Sequence, residues 1–349
     1  MQNSCVLLRS GNLSFEQLAV PDLTPNQVLV RMAKVGLCGS DLSLVYKGQM
    51  ADMTLPLTSV IGVGHESSGV IAKCGSAVKH LKPGDRVTIE PGNSCRNCDL
   101  CLSNKYNLCD KSSFHNNVAL CPGMLAHYYT STADLCFKLP DNVSEEEGAL
   151  IEPLAVAVHA CRQANVELGL SVLICGAGPI GLLCLLTAKA MGATNILVTD
   201  IKDNRLKVAK IMGADHTLLV KGSDPKSLAK KVVEVMGCMP NVTLECSGVQ
   251  SSVTTGIYAT KSGGILMLVG IGGTDMTLPI THAAVREISI KGMYRYVNCY
   301  PIAIDMIAKG LINVKPLITH RFKLNEFQKA FDMLHIGEDG AIKCIISCE

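Results

Sequence analysis

The feature that most constrains this fold is a regular alternation of short apolar runs and helical stretches between residues 170 and 270. Apolar runs such as Val172–Cys175, Ile196–Asp200 and Ile265–Gly270 alternate with stretches of helical character. Ile180–Met191 and Pro225–Met236 are two of these predicted helices. Continuous apolar strands that alternate with helices are typical of a parallel sheet covered by helices on both faces. This part of the chain is therefore predicted to form a doubly wound α/β domain.

A glycine motif directly after the first of these runs indicates a dinucleotide site. Gly176, Gly178 and Gly181 form a G-x-G-x-x-G pattern at the start of the next helical stretch. In Rossmann folds the first glycine permits the turn, the second lets the backbone approach a pyrophosphate, and the third lets the helix pack on the sheet. The helix N-terminus then stabilises the phosphates. The motif alone also fits a glycine-rich packing turn, but the preceding strand and following helix favour the dinucleotide site.

The end of the second apolar run bears on which dinucleotide binds. Asp200 stands at the spacing at which a carboxylate meets the hydroxyls of the adenine ribose. Because a carboxylate repels a 2′-phosphate, NAD is favoured over NADP. Arg205 lies just beyond and could approach a 2′-phosphate, although it also fits a cover over the adenine ring or a solvated helix residue. The predicted cofactor is NAD.

The rest of the chain is organised differently. The first 150 residues are predicted to be rich in strands such as Val28–Val35 and Arg86–Glu90. The length of 349 residues exceeds what one hydrophobic core usually serves. We predict one domain at 1–154 and a second at 155–294. Since 295–349 is too short for a core of its own, it is expected to return to the first domain.

Composition narrows the possible partners and the compartment. With 32 Lys and Arg against 30 Asp and Glu, the chain lacks the basic surface that nucleic acid requires. It shows neither a signal-peptide pattern nor an unbroken apolar stretch long enough for a membrane span. The 17 cysteines are therefore expected to be reduced thiols or metal ligands rather than disulfides. We predict a cytoplasmic protein that binds neither nucleic acid nor membrane.

Four clustered cysteines predict a structural metal site. Their spacing leaves two, two and seven residues between successive thiols: Cys95, Cys98, Cys101 and Cys109. Four thiolates at about 2.3 Å complete a tetrahedral zinc site with no open position. An iron–sulfur cluster is the competing metal, but the short last gap and following proline of the ferredoxin motif are absent. Four free thiols without metal remain an alternative, against which the C-x-x-C-x-x-C spacing counts.

Three separated segments carry candidate ligands of a second, catalytic metal. Cys38, the pair His65 and Glu66, and Glu152 each lie beside glycine or proline. A catalytic zinc takes about three protein ligands and keeps one position open. Cys38, His65 and Glu66 could supply them, with Glu152 as an alternative ligand or behind a bound water. Taken singly, these residues also fit a buried thiol, a loop histidine and helix-start or loop carboxylates.

The order of these motifs resembles the zinc-containing medium-chain alcohol dehydrogenases, and within them the sorbitol (L-iditol 2-) dehydrogenase or ketose reductase branch. The resemblance spans essentially the whole chain and rests on C-G-S-D, G-H-E, the four-cysteine loop, G-A-L-I-E-P-L-A-V and G-A-G-P-I-G. It implies a β-rich GroES-like catalytic domain beside the Rossmann domain. It also implies two zinc ions, NAD and a homotetramer whose dimers extend the central sheets edge to edge.

The resemblance also assigns roles to individual residues. It implies catalytic zinc at Cys38, His65 and Glu66, with Glu152 held against its water, although whether Glu66 or Glu152 holds the metal stays open. We predict from the mechanism that Glu152 and a bound water carry the proton, with help from Ser40. The positions expected to contact polyol hydroxyls are Ser40, Arg295 and Tyr296, and those on the cofactor side are Ile180, Asp200 and Arg205.

Together, these observations predict reversible oxidation of a polyol at C2 to a ketose by hydride transfer to NAD. Two departures from the branch bear on the exact polyol: Leu44, where an aromatic residue is common, and the loop 115–123. A related zinc dehydrogenase acting on another polyol or on L-threonine is the alternative. A non-catalytic dinucleotide-binding protein would be expected to have lost ligands, and a zinc knuckle that binds nucleic acid conflicts with the neutral charge.

Overall fold

The computed structural model describes residues 2–9, 11–50, 53–54, 60–112, 123–222 and 224–349. The strands are β1 (Gln2–Arg9), β2 (Asn12–Ala19), β3 (Gln27–Gly36), β4 (Gln49–Met50), β5 (Met53–Thr54), β6 (Val60–Gly62), β7 (Glu66–Cys74), β8 (Arg86–Ile89), β9 (Tyr128–Thr132), β10 (Cys136–Lys138), β11 (Ser171–Cys175), β12 (Asn195–Asp200), β13 (His216–Leu219), β14 (Val242–Glu245), β15 (Ile265–Leu268), β16 (Ser289–Gly292), β17 (Ile318–Lys323) and β18 (Lys343–Ser347). The helices are α1 (Gly39–Lys47), α2 (Asp99–Leu102), α3 (Glu145–Ala149), α4 (Ile151–Gln163), α5 (Pro179–Ala190), α6 (Asp203–Ile211), α7 (Pro225–Met236), α8 (Gln250–Ala259), α9 (Ile280–Ala284), α10 (Tyr300–Ala308) and α11 (Phe327–Ile336).

The chain divides into two compact units. The first unit comprises Met1–Glu152, Tyr300–Lys309 and Ile318–Glu349, and the second comprises Pro153–Cys299 and Gly310–Leu317.

The second unit is built on a parallel sheet with the strand order β13-β12-β11-β14-β15-β16. Its central strands β11, β12 and β14 are almost entirely buried, as expected for strands covered on both faces. The strand order reverses between β11 and β14, and in such sheets ligands bind at the carboxyl ends of the strands at this point. The predicted doubly wound Rossmann-type α/β fold is confirmed.

The first unit is rich in strands, as the sequence predicts. One sheet has the order β10-β8-β7-β3-β18-β17, with β9 also paired to β3, and β2, β1 and β6 form a second. The strand β18 lies between β3, which is antiparallel to it, and β17, which is parallel. The end of the chain therefore folds back onto the first unit, beside the strand that leads into α1.

Two further findings concern the helices and the cysteines. Among the helices in the described parts of the chain, none is long and apolar enough to cross a membrane. No disulfide joins any of the cysteines whose positions are described. The four clustered cysteines of the first unit are among these free cysteines.

Candidate metal centres and dinucleotide site

Three candidate ligands of the catalytic metal converge in the first unit. Cys38 immediately precedes α1, whereas His65 and Glu66 lie at the start of β7. One ligand atom from each residue lies within 4.8 Å of the other two. Bonds of about 2.0–2.3 Å to zinc bring tetrahedral ligands into this range of separation. A thiol, an imidazole and a carboxylate can therefore hold one zinc ion and leave its fourth position open.

A buried aspartate connects the two loops that carry these ligands. The Asp41 carboxylate accepts hydrogen bonds from the backbone N–H of Cys38 at 3.0 Å and of Gly64 at 3.2 Å. Its Oδ1 also lies 3.3 Å from Nδ1 of His65. Asp41 has no exposed surface, so its charge acts in a poorly screened environment. Asp41 belongs to the C-G-S-D motif, and its place three residues after Cys38, the residue that caps α1, is the sequence signal of such a hydrogen-bonded cap.

Asp41 also affects the pKa and the orientation of His65. Burial lowers the pKa of His65, but the charge and hydrogen bond of Asp41, together with Cys38, outweigh it and raise the pKa well above its usual value. Because Nδ1 faces Asp41, Nε2 is the ring nitrogen that a metal would take. The Ser40 hydroxyl lies 3.5 Å from Nε2, which brings this predicted site residue to the cluster.

Glu66 forms an ion pair with a lysine that the sequence analysis missed. The Lys343 ammonium donates to both carboxylate oxygens, at 2.8 Å to Oε1 and 2.6 Å to Oε2. Lys343 is only 1% exposed, and it belongs to β18. Burial lowers the pKa of Lys343, but the negative charges of Glu66 and Cys38 outweigh this effect and raise it. The sequence did hold one signal of this pair: Lys343 begins a mostly apolar terminal strand. Because lysine is almost never fully buried without a partner, a lysine in such a strand indicates a buried counter-charge.

Glu152 is placed differently from Glu66. It is buried near the start of α4, and its charge contributes to raising the pKa of Lys343. It is not one of the three residues whose ligand atoms lie within 4.8 Å of one another. Of the two glutamates left open by the sequence, Glu66 is therefore the one that the structure brings into the cluster.

The four cysteines of the predicted structural site also converge. Their sulfur atoms all lie within 4.8 Å of one another, with Cys95–Cys101 and Cys98–Cys109 separations of 3.9 Å. A tetrahedron with bonds of about 2.3 Å has edges of about 3.8 Å, so these separations fit four thiolates around zinc. The backbone N–H of Cys95 also donates to the Cys109 sulfur. Cys98 caps the short helix α2, which brings Cys101 back toward it.

The dinucleotide motif has the geometry expected of a phosphate-binding turn. Gly176 has a φ of +100°, a conformation that side chains other than glycine rarely adopt. A Cβ atom on Gly181 would overlap the carbonyl oxygen of Gly176, so this position must be glycine for α5 to pack. A Cβ atom on Gly178 would meet only the Arg205 guanidinium, at 3.9 Å. The space beside Gly178 is therefore open to a ligand.

Two charged residues flank this loop. The Asp200 carboxylate accepts hydrogen bonds from the N–H of Ala177 at 2.7 Å and of Lys202 at 2.8 Å, which fixes it beside the loop. The Nε of Arg205 is buried and has no hydrogen-bond partner among the described residues. A buried polar atom without a partner is costly, so this guanidinium fits a site that receives a polar or anionic ligand. Ile180 is half-buried in the first turn of α5.

Comparison with known proteins agrees with this geometry. Residues 24–141 match the family model described as an alcohol dehydrogenase GroES-like domain, and residues 179–309 match that of a zinc-binding dehydrogenase. The chain is 48% identical to the sorbitol dehydrogenase of Macaca fascicularis over 99% of this chain and 96% of that protein. The chain belongs to the zinc-containing medium-chain alcohol dehydrogenase family. Its full-length identity puts it in the sorbitol dehydrogenase branch of that family.

Solved structures show the same fold. An Escherichia coli oxidoreductase/dehydrogenase of unknown specificity superposes with a TM-score of 0.91 at 33% identity, over 99% of both chains. The L-idonate 5-dehydrogenase of Escherichia coli superposes with a TM-score of 0.88 at 27% identity, over 99% of this chain and 98% of that one. The described residues thus have the GroES-like and Rossmann architecture expected of the family.

The remaining predicted site residues are placed as follows. Arg295 and Tyr296 follow β16 in the second unit, where Arg295 has a φ of +54° and Tyr296 is buried. Leu44, which replaces the aromatic residue common in the branch, is buried in the apolar core of the first unit. Of the unusual loop, residues 115–122 lie outside the described residues. The roles of Arg295 and Tyr296 therefore stay predictions from the family.

Proposed function

We propose that this protein catalyses the reversible, NAD-linked oxidation of a polyol of the sorbitol or xylitol type at C2 to the corresponding ketose. The observation that carries the proposal is the convergence of Cys38, His65 and Glu66 in a chain 48% identical to a sorbitol dehydrogenase. A chain that had kept only a dinucleotide-binding role would be expected to have lost at least one of these ligands.

In this proposal, Cys38, His65 and Glu66 hold a catalytic zinc, while Cys95, Cys98, Cys101 and Cys109 hold a structural one. The catalytic ion supplies a Lewis acid, which stabilises negative charge that develops on the C2 oxygen. Cys38 and Glu66 contribute two negative charges to it, and Asp41 holds His65 in the orientation in which Nε2 faces the ion.

Oxidation of the secondary alcohol at C2 removes one proton from its hydroxyl group and one hydride from its carbon. Glu152, helped by the Ser40 hydroxyl, would take the proton of the C2 hydroxyl and pass it to solvent. NAD held at the glycine turn would supply the acceptor for the hydride that leaves C2. The C2–O bond then becomes a carbonyl. Arg295 and Tyr296 are proposed to donate hydrogen bonds to further hydroxyls of the substrate, since both side chains carry N–H or O–H donors.

The choice of NAD is supported by Asp200. Its carboxylate is held beside the glycine loop by two backbone N–H groups, where it can accept hydrogen bonds from ribose hydroxyls and repel a 2′-phosphate. Gly176, Gly178 and Gly181 provide the phosphate turn, and Ile180 and Arg205 flank it.

The decisive experiment is a substrate panel followed by the absorbance of reduced nicotinamide. Sorbitol, xylitol, fructose, L-threonine and simple alcohols are assayed with both NAD and NADP. We expect turnover of polyols and of the ketose with NAD or NADH. Turnover confined to L-threonine would instead support the alternative substrate.

A variant tests whether the catalytic cluster acts through metal. Cys38→Ser should abolish turnover while circular dichroism and thermal unfolding remain close to those of the wild type. Cys74→Ser, which changes a partly buried thiol of the same unit outside both clusters, is the matched control. Full activity in a Cys38→Ser protein that lacks zinc would contradict the proposed mechanism.

We further propose a cytoplasmic homotetramer. The strand β16 lies at one edge of the sheet of the second unit, so pairing with the same strand of a second copy would extend that sheet. Reduced thiols in both clusters require a reducing compartment. Light scattering after size-exclusion chromatography should give a mass of four chains, and a monomeric mass would exclude the assembly.

A further inference from the structure

The Lys343 ammonium is fully hydrogen-bonded within the first unit. It donates to Oε1 and Oε2 of Glu66 at 2.8 and 2.6 Å and to the carbonyl oxygen of Leu37 at 2.9 Å. A lysine ammonium has three N–H donors, so these contacts use all of them. The arrangement requires a charged lysine whose position is fixed by three partners.

The same carboxylate also faces the candidate metal position. An oxygen of Glu66 lies within 4.8 Å of the ligand atoms of Cys38 and His65. Its Oε2 fills the space that any side chain at Gly36 would need. Gly36 therefore leaves room for a carboxylate that contacts the Lys343 ammonium and also lies near Cys38 and His65.

Charge determines what this arrangement does. The Lys343 ammonium is the counter-charge of the buried Glu66 carboxylate, and a carboxylate that lost it would remain buried and unpaired unless a cation replaced it. A divalent cation bound by Cys38 and His65 would be repelled by the ammonium and would compete with it for the same oxygens.

We infer that Lys343 is a positioning residue that shares Glu66 with the catalytic metal and keeps this carboxylate a weak, releasable ligand. The inference rests on the proposed function only in requiring that Cys38, His65 and Glu66 hold a metal. It assigns Lys343 no contact with substrate. It also means that the ammonium and the metal bind Glu66 with opposing effects, so that removing one must strengthen the other.

The test is metal binding in the absence of substrate. The full-length apoprotein is titrated with Co²⁺, and the d–d and thiolate charge-transfer absorption of the Cys38 site is isolated by subtracting the spectrum of Cys38→Ser. Lys343→Met should bind Co²⁺ about tenfold more tightly or better, with altered d–d bands, because Glu66 becomes a full ligand. The same variant should lose kcat although its metal site is filled.

Two further variants make the result specific. Lys343→Arg keeps the charge and should restore most of the wild-type affinity and spectrum. Lys34→Met removes a lysine of the neighbouring strand β3 that donates to Ser347 of β18 rather than to Glu66, and it should bind Co²⁺ as the wild type does. If Lys343→Met and Lys34→Met change the affinity equally, the inference is wrong.

The remaining outcomes also decide the question. In a Glu66→Gln background, Lys343→Met should change Co²⁺ affinity much less than in the wild type, since the shared carboxylate is gone. If Lys343→Met does not fold as an apoprotein, it should fold with saturating Co²⁺, which restores a counter-charge to Glu66; failure to do so would overturn the inference. Wild-type protein that binds no Co²⁺ dependent on Cys38 would overturn the proposed metal centre itself.

Discussion

Asp41 and Lys343 act on neighbouring ligands of the same cluster in opposite ways. Asp41 adds negative charge behind His65 and makes its imidazole a stronger donor, whereas Lys343 adds positive charge behind Glu66 and weakens that carboxylate as a ligand. Both residues are buried, so neither effect is screened by solvent. In the proposed metal site, the strength of each of these two ligands would thus be set by a residue that does not itself bind the metal.

Replacement of Asp41 tests the first of these effects. Asp41→Asn should lower zinc affinity and kcat/KM by about 10- to 100-fold, because His65 loses its charged partner. Zinc content after dialysis against a chelator, together with steady-state kinetics, measures both quantities. Asp85→Asn is the matched control. Like Asp41, Asp85 accepts a hydrogen bond from a backbone N–H and lies beside a basic side chain, here that of Lys138, but it lies outside the cluster. Equal losses in the two variants would contradict the role of Asp41.

Replacement of Asp200 tests the preference for NAD. Asp200→Ala should raise KM for NAD about tenfold or more and should narrow the preference over NADP, since the repulsion of a 2′-phosphate is lost. The ratio of kcat/KM for the two cofactors is the measurement. Asp215→Ala removes a carboxylate that caps the other end of β12 through the N–H of Ile196, and it should leave this ratio unchanged. An unchanged ratio in Asp200→Ala would argue against the assignment.

At the scale of elements, two glycines of the turn between β11 and α5 are expected to have different roles: Gly181 allows the helix to pack, and Gly178 allows the cofactor to bind. Gly181→Ala should destabilise the protein by about 3 kcal/mol, because its Cβ would overlap the carbonyl of Gly176. Gly178→Ala should change stability by no more than about 1 kcal/mol, yet it should weaken cofactor binding by closing the backbone's approach to the pyrophosphate. Urea unfolding and cofactor fluorescence titration distinguish these effects. Comparable stability losses in the two variants would disprove the distinction.

The elements of the second unit could be predicted because their signals are local. The predicted helix Pro225–Met236 coincides with α7, whose start is marked by Asp224 as a cap and by Pro225. The strand predicted to reach Gly270 ends earlier, at Leu268, because the N–H groups of Val269 and Gly270 both turn to the carbonyl of Glu245. The end of such a strand depends on hydrogen bonds to a neighbouring strand. It therefore cannot be predicted from the residues of the strand alone.

The candidate site could be predicted only in part. Cys38, His65 and Glu66 carry recognisable ligand chemistry in short motifs, so their residue types were informative. The pairing of Lys343 with Glu66 joins residues 277 positions apart and depends on β18 lying against β3. No local pattern contains that register, and the lysine itself has no ligand chemistry that would have drawn attention to it.

For the whole molecule, the two clusters predict two zinc ions per chain that can be lost separately. Elemental analysis should find two ions in the wild type, one in Cys38→Ser and one in Cys101→Ser, because each cluster needs its full set of ligands. Cys101→Ser should also lower the thermal midpoint by several degrees, about what a structural site contributes. Cys74→Ser should keep both ions. Loss of both ions from either single variant would mean that the sites are not independent.

The position of β18 between β3 and β17 has a consequence for biosynthesis. Glu66 emerges from the ribosome long before Lys343, and the intervening chain includes the whole Rossmann sheet. Throughout translation of that sheet, the Glu66 carboxylate has no Lys343 ammonium to pair with. The ion pair beside the ligand cluster can therefore form only when the last strand docks against β3, which makes this buried charge pair one of the final contacts completed in the first unit.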